Sequence, residues 1–263
     1  MSPRRVWAVI LRNLYLYPRS ASRLMEIFYW PVLNLLTWGF ITLYINQLPG
    51  RISLVSSFFL GGLILWDLLF RSQQSVSLAF VEEIWSRNLL NLFASPLRPS
   101  EFLCSTMILS LAKLALSGAL TLLLAHLLYS YEMLWMGLAL FMFISQVVWM
   151  GWSLGILNVG ILLRFGEKAE IWIWGLPILL QPFSSVFYPV DSLPRWARII
   201  AKTVPATYVF EGMREVIQGN PLPWKLLSLS LLLNGIYFAF SVVFFQRMFH
   251  QARLRGLLYK IGE

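Results

Sequence analysis

The sequence is poor in charge, in acid and in cysteine. Only 13% of its 263 residues are charged, while 58% are hydrophobic. A soluble domain carries about a quarter charged residues, so a chain this apolar cannot hide its surface in an ordinary water-soluble core. Its mean hydropathy of +0.68 points to lipid as the solvent. A single cysteine, Cys104, excludes an intrachain disulfide framework and a multi-cysteine metal site. The two histidines, His126 and His250, join no cluster of carboxylates and thiols, so no metal site is expected. Neither Gly-Lys-Ser nor Gly-Lys-Thr occurs, which excludes a P-loop. Acids number 12 against 21 Lys and Arg, a net charge of +9. In so apolar a chain that excess is an orientation signal, not an affinity for nucleic acid. The basic N-terminus is followed by no small-residue cleavage site and is read as retained.

What is abundant is long apolar runs. A span needs roughly 20 mainly apolar residues, and about six candidates occur, near Phe28–Ile45, Leu54–Phe70, Phe102–Tyr129, Met133–Leu163, Ile171–Phe187 and Trp224–Phe245. The expected fold is therefore an all-α integral membrane protein, residues 1–263 forming one membrane domain. Six spans place both termini on one side. If that side is the cytosol, it holds Arg4, Arg5, Arg12, Arg19, Arg23, Arg71, Arg87, Arg98, Arg164, Lys168, Arg247, Arg253, Arg255 and Lys260. Arg51, Arg195, Arg198, Lys202, Arg214 and Lys225 lie opposite. The ratio of 14 to 6 supports cytosolic termini.

Residues 1–27 precede the first span. Val6, Trp7, Ile10, Leu11 and Leu14 recur there at helical spacing, with Arg4, Arg5, Arg12 and Asn13 largely elsewhere. This pattern suits a helix lying in the headgroup layer; the alternative is that it simply begins the first span.

The segment "FVEEIWSRNLLNLFASPLRPSEF" interrupts the apolar runs between spans two and three. Over residues 82–96 it predicts a short amphipathic helix. Ile84, Trp85, Leu89, Leu92 and Phe93 fall on one side, and Glu82, Ser86, Arg87 and Asn91 mostly opposite. Glu82 and Glu83 would occupy its first turn, favoured by the helix dipole, and Pro96 and Pro99 would stop it. Such a helix either anchors to lipid or docks another protein.

Before the last span, residues 188–221 form a Pro-rich stretch. Val209, Phe210, Met213, Val216 and Ile217 predict an apolar helical stripe capped by Gly219. Arg195, Arg198 and Lys202 lie on one side of a shorter helix, with Trp196 and Ile199 between them.

Taken together, these segments resemble the permeases of type 2 ATP-binding-cassette (ABC-2) transporters. The likeness rests on Glu82, Glu83 and "LLNLFASPLRPSEF" after span two. It rests equally on Pro189, Pro194, Trp196, Pro205, Arg214 and Gly219 in order before the last span. Arg87-Asn88 and Ser105-Thr106 stand where the family often has Gly-Thr and Gly-Lys. The resemblance implies a multi-pass exporter subunit in a bacterial or archaeal cell membrane, paired with a second permease copy or with a similar chain. It implies that residues 82–96 are a coupling helix docking on a separate ATPase subunit, which binds ATP and Mg. It also implies that residues 188–221 are re-entrant helices near the exit of the transport path; the alternative is an extracellular lid.

Other features remain open. Asp67 and Lys113 are charges inside apolar runs, costly unless paired or wet; a salt bridge between spans two and three is expected, with an interfacial Asp67 or a proton relay as alternatives. "GWSLG", Gly151 to Gly155, matches the serine-nucleophile pattern and would need His126 or His250 as base for Ser153. The same residues make a small-residue packing face with Gly160 beyond. Trp30, Trp38, Trp66, Trp135, Trp149, Trp152, Trp172 and Trp174 suit interface belts and helix contacts; stacking on a sugar is the alternative. An intramembrane hydrolase and a non-transporting scaffold are the competing functional readings. A drug, a lipid and a lipid-linked glycan are all compatible as cargo.

Overall fold

The computed structural model describes residues 1–47 and 53–255. Arg51 and Lys260, which entered the charge comparison, lie outside the described residues. The described chain is all-helical: α1 (Pro3–Leu16), α2 (Ala21–Asn46), α3 (Ser53–Trp85), α4 (Leu89–Ala94), α5 (Pro99–Tyr129), α6 (Leu138–Phe165), α7 (Ile171–Leu180), α8 (Arg195–Ala201), α9 (Pro205–Ile217) and α10 (Trp224–Leu254). Among the described residues four helices are long and apolar enough to cross a membrane: Arg23–Ile45 within α2, and α5, α6 and α10. The protein is an all-α membrane protein.

The expected second and fifth spans differ from their sequence boundaries. α3 does not stop at Phe70 but runs 33 residues, to Trp85, about 50 Å at 1.5 Å per residue. The polar run after Phe70 reads as a loop by hydropathy, yet Ser72, Gln73, Gln74, Ser75 and Ser77 are all buried. Gln73 donates to the Ile173 carbonyl of α7, and Ser77 to the Gly155 carbonyl of α6. Packing against α6 and α7 encloses this run and accepts its Gln73 and Ser77 donors, so the helix continues. The fifth apolar helix ends early, covering only Ile171–Phe183. Pro177 lies inside α7, and Pro182 sits in the single tight turn that follows.

α6 is the central helix, packed most extensively on α3 and α10. A Cβ on Gly151 would strike Ser72 and the Leu69 carbonyl, and one on Gly155 would sit 2.8 Å from both the Gln73 carbonyl and the Val76 Cβ. Only glycine permits this approach of α6 to α3. On its other flank, Gln146 donates to the Leu227 carbonyl and Asn234 to the Gln146 carbonyl, tying α6 to α10.

The expected Asp67–Lys113 salt bridge is not formed. Asp67 is held by Arg71, one turn along α3, whose Nε and Nη2 lie 2.5 and 3.0 Å from its two oxygens. Asn34 of α2 adds a third donor at 3.2 Å. Lys113 turns instead to Glu26, at 3.6 Å, and to the Tyr17 ring, 4.7 Å from its centroid. The i,i+4 spacing on one continuous helix brings Arg71 to Asp67. Hydropathy had assigned Arg71 to a loop, because it heads the polar run that proves to be helical.

Candidate coupling site

The expected helix over residues 82–96 is two pieces. Glu82, Glu83 and Trp85 belong to the last turn of α3, and α4 covers only Leu89–Ala94. The break is at Arg87, whose φ of 52° is left-handed. There the Arg87 N–H donates to the Ile84 carbonyl and the Asn88 N–H to the Glu83 carbonyl, closing the end of α3. Glu82 and Glu83 therefore lie at a helix C-terminus, where the dipole opposes them. Cations from the N-terminal segment offset this. Arg12 makes two bonds to Glu83, at 2.7 and 3.0 Å, and Asn88 donates to the same carboxylate at 2.6 Å. Arg23 donates to Glu82 at 2.7 Å. Burial nevertheless pushes the Glu82 carboxyl above its ordinary range, with Arg23 opposing the shift.

The apolar side of the segment is already occupied. Leu89 is buried, and Leu92 and Phe93 pack in the cluster that joins Phe80, Ile84, Phe102, Phe245 and Met248. Phe93 meets Phe249 of α10 edge-on, with ring centroids 4.9 Å apart. These residues attach α4 to its own chain. What faces outward is Trp85, at 60% exposure, with Ser86, Arg87, Asn91, Ala94, Ser95 and Pro96. The expected grouping of Trp85 with Leu89 on one apolar stripe is thus corrected, because the turn at Arg87 breaks the helical register between them.

α1 is a separate helix that braces this corner from both ends. Beyond Arg12, its Arg5 donates to the Pro96 carbonyl at 2.6 Å, and the Ser2 N–H donates to Glu101 at 2.7 Å. Glu101 also accepts the Arg98 N–H at 2.9 Å, a reciprocal bond at the start of α5. These backbone donors, from Arg98 first and then Ser2, hold the Glu101 carboxyl below its usual range. Val6 and Ile10 bury against Leu109 of α5, while Trp7 and Leu14 face outward. Sequence reasoning missed Ser2, Arg5, Arg12 and Glu101 as members of this site. One signal was available: Arg5 and Arg12 are seven residues apart, two turns on one helix face.

At the other end of the bundle, Pro189, Pro194 and Pro205 each start a helical turn or helix. Val209, Phe210, Met213 and Val216 are buried, so α9 is part of the core. Arg214 donates to Glu211 at 2.7 Å and to the Ser185 carbonyl at 2.5 Å, and stacks 3.7 Å over the Phe58 ring. Glu211 in turn accepts the Val190 N–H. Gly219 ends the stretch at φ 87°. Trp196 and Ile199 stay exposed on α8 beside Arg195 and Arg198. Ser153, by contrast, is sealed in α6 and donates to the Trp149 carbonyl at 3.0 Å. His126 faces Glu132 at 3.6 Å, and His250 lines a cavity between α5 and α10. A serine–base pair is not assembled among the described residues.

The model of the ABC-2 type transporter family matches residues 4–217, from α1 through α9. The chain belongs to this family. A comparison with curated proteins returns no match. The chain is the membrane-spanning permease component of an ABC-type exporter, a class that typically works with an ATP-binding subunit. In this ABC-2 permease Arg87, at the first departure from the family resemblance, is one of three non-glycine residues with left-handed backbone among the described residues. Glycine adopts that geometry without cost, whereas a side chain costs roughly 1 kcal/mol. At the second departure, the Ser105 and Thr106 hydroxyls donate to the Phe102 and Leu103 carbonyls of α5, so they stay within their own helix.

Proposed function

We propose that this permease crosses the membrane six times with both termini cytosolic, and exports its cargo as a dimer driven by two separate ATPase subunits. ATP and Mg are bound by those subunits. The outward face of the α3–α4 corner, Trp85, Arg87, Asn91 and Pro96, docks on the ATPase, while Glu82, Glu83, Leu89, Leu92 and Phe93 fix the corner to the bundle. Movement of the docked ATPase then passes as a rigid body to α3 and α5, and through the α1 brace to α2. Residues 188–221 form the outer mouth of the path, and a drug, a lipid or a lipid-linked glycan is the cargo class.

The observation that carries this reading is the bracing of the corner: Arg12 on Glu83 before α4, and Arg5 on Pro96 after it. A flexible lipid anchor has no need of clamps at both ends. The test is a pull-down of the tagged chain in mild detergent, with assay of co-purifying ATPase. A P-loop ATPase should co-purify with wild type and be lost from a Trp85→Glu, Asn91→Glu variant that keeps its thermal stability. Equal recovery from both forms, or none from wild type across several detergents, overturns the proposal.

A further inference from the structure

Arg98, His250 and Arg253 converge on a cavity of about 300 Å³ between the N-terminus of α5 and the last turns of α10. All three side chains are exposed at its mouth. Neither Arg98 nor Arg253 forms an ion pair among the described residues, and no carboxylate lines the cavity. The neighbouring Glu101 is turned away and buried, its oxygens held by the Ser2 and Arg98 N–H groups. The N-terminus of α5 adds its dipole to the same positive field. The floor has the opposite character: Leu103, Phe245 and Phe249 line it, with Leu103 and Phe245 buried. Both helices are long and apolar enough to cross a membrane, and the cations sit at their ends, where headgroups lie.

We infer that this cavity holds an anionic phospholipid, its phosphate between Arg98, His250 and Arg253 and an acyl chain along Leu103 and Phe245. A soluble anion would be served by the cations alone, but the apolar floor of Leu103, Val242, Phe245 and Phe249, at the ends of two spans, fits a chain. A docking protein would meet a cation-ringed hollow instead of a surface. The lipid would also bear on the candidate coupling site, because Phe249 of the floor touches Phe93 of α4 at 4.9 Å. An occupied cavity would hold α10 against α4, and loss of the lipid would loosen the corner. This inference requires only that α5 and α10 span the membrane, not that the corner docks an ATPase, so the two stand or fall separately.

The test is native mass spectrometry of the full chain purified in detergent and incubated with equal amounts of phosphatidylglycerol and phosphatidylcholine. Wild type should retain phosphatidylglycerol in preference. Each cation near a membrane surface is worth about fivefold in affinity, so Arg98→Gln with Arg253→Gln should lower that retention roughly tenfold or more. Arg247→Gln, a cation outside the cavity, should leave it unchanged. Leu103→Trp, which fills the floor and spares the cations, should lower it too. Should the double variant melt below wild type, His250→Gln and Leu103→Trp decide the matter alone. Equal retention of the two lipids, or wild-type retention in the cavity variants, overturns the inference. Displacement of the lipid by inorganic phosphate, with Leu103→Trp silent, assigns the cavity to a free anion and overturns it as well.

Discussion

Arg12 of α1 and Glu83 of α3 meet through two hydrogen bonds, of 2.7 and 3.0 Å, across 71 residues of chain. Glu83 is 5% exposed, so its charge is tolerated only because Arg12 and Asn88 surround it. Arg12→Ala leaves that carboxylate with one neutral donor and should destabilise the protein by about 2 kcal/mol, less than a fully buried pair because Arg12 itself is partly open to solvent. A double-mutant cycle with Glu83→Gln, read by thermal unfolding in detergent, should show coupling of about 1 kcal/mol or more. Additive losses would mean that the pair does not brace the corner.

Acidification should release α1 from its other anchor. The Glu101 carboxyl is held below its ordinary value by the Arg98 and Ser2 N–H groups. A carboxyl depressed on folding contributes stability that is complete above its unfolded pKa, near 4.5, and is lost as pH falls through its lower folded value. Proteolysis of the first residues should therefore be flat from neutral pH to about 5 and rise below that. In Glu101→Gln that rise should be absent, with the N-terminus already cleavable at neutral pH.

Gly151 and Ser153 should answer mutation in opposite ways. Gly151→Leu drives a side chain into Ser72 and the Leu69 carbonyl, and overpacking of this kind costs about 1–3 kcal/mol or more. Ser153→Ala removes only a hydroxyl bonded to its own helix and should cost under about 1 kcal/mol. Transport assays and melting curves of the two variants separate a packing face from a nucleophile: total loss of activity in a stable Ser153→Ala variant would restore the hydrolase reading.

Asp67 should couple to Arg71 and not to Lys113. Asp67→Asn leaves the Arg71 guanidinium buried without a counter-charge, a loss of about 3–5 kcal/mol. In double-mutant cycles, Asp67 with Arg71→Met should couple strongly. Asp67 with Lys113→Met should be additive within about 0.5 kcal/mol. Lys113 should couple to Glu26 instead, which lies 3.6 Å from it.

Composition by itself determined the solvent of this protein and its helical class, since 58% apolar residues leave lipid as the only place for that surface. Local spacing determined that helices would form at α1, within residues 82–96 and at α9, and that Val209, Phe210 and Met213 would share one apolar stripe. Sequence order carried the family, and the missing P-loop excluded an ATP site of that kind within the chain. Where α3 ends was decided only by the tertiary structure: Gln73 and Ser77 look like a loop until α6 and α7 supply their hydrogen-bond partners. The side of α4 that meets the bundle was decided there too, because an amphipathic stripe says that one face is buried and not what buries it. Pairings such as Arg12–Glu83 and Asp67–Arg71 depend on which helices lie side by side. Charge attracts without regard to sequence distance, so the choice among 21 cations and 12 acids is made by packing.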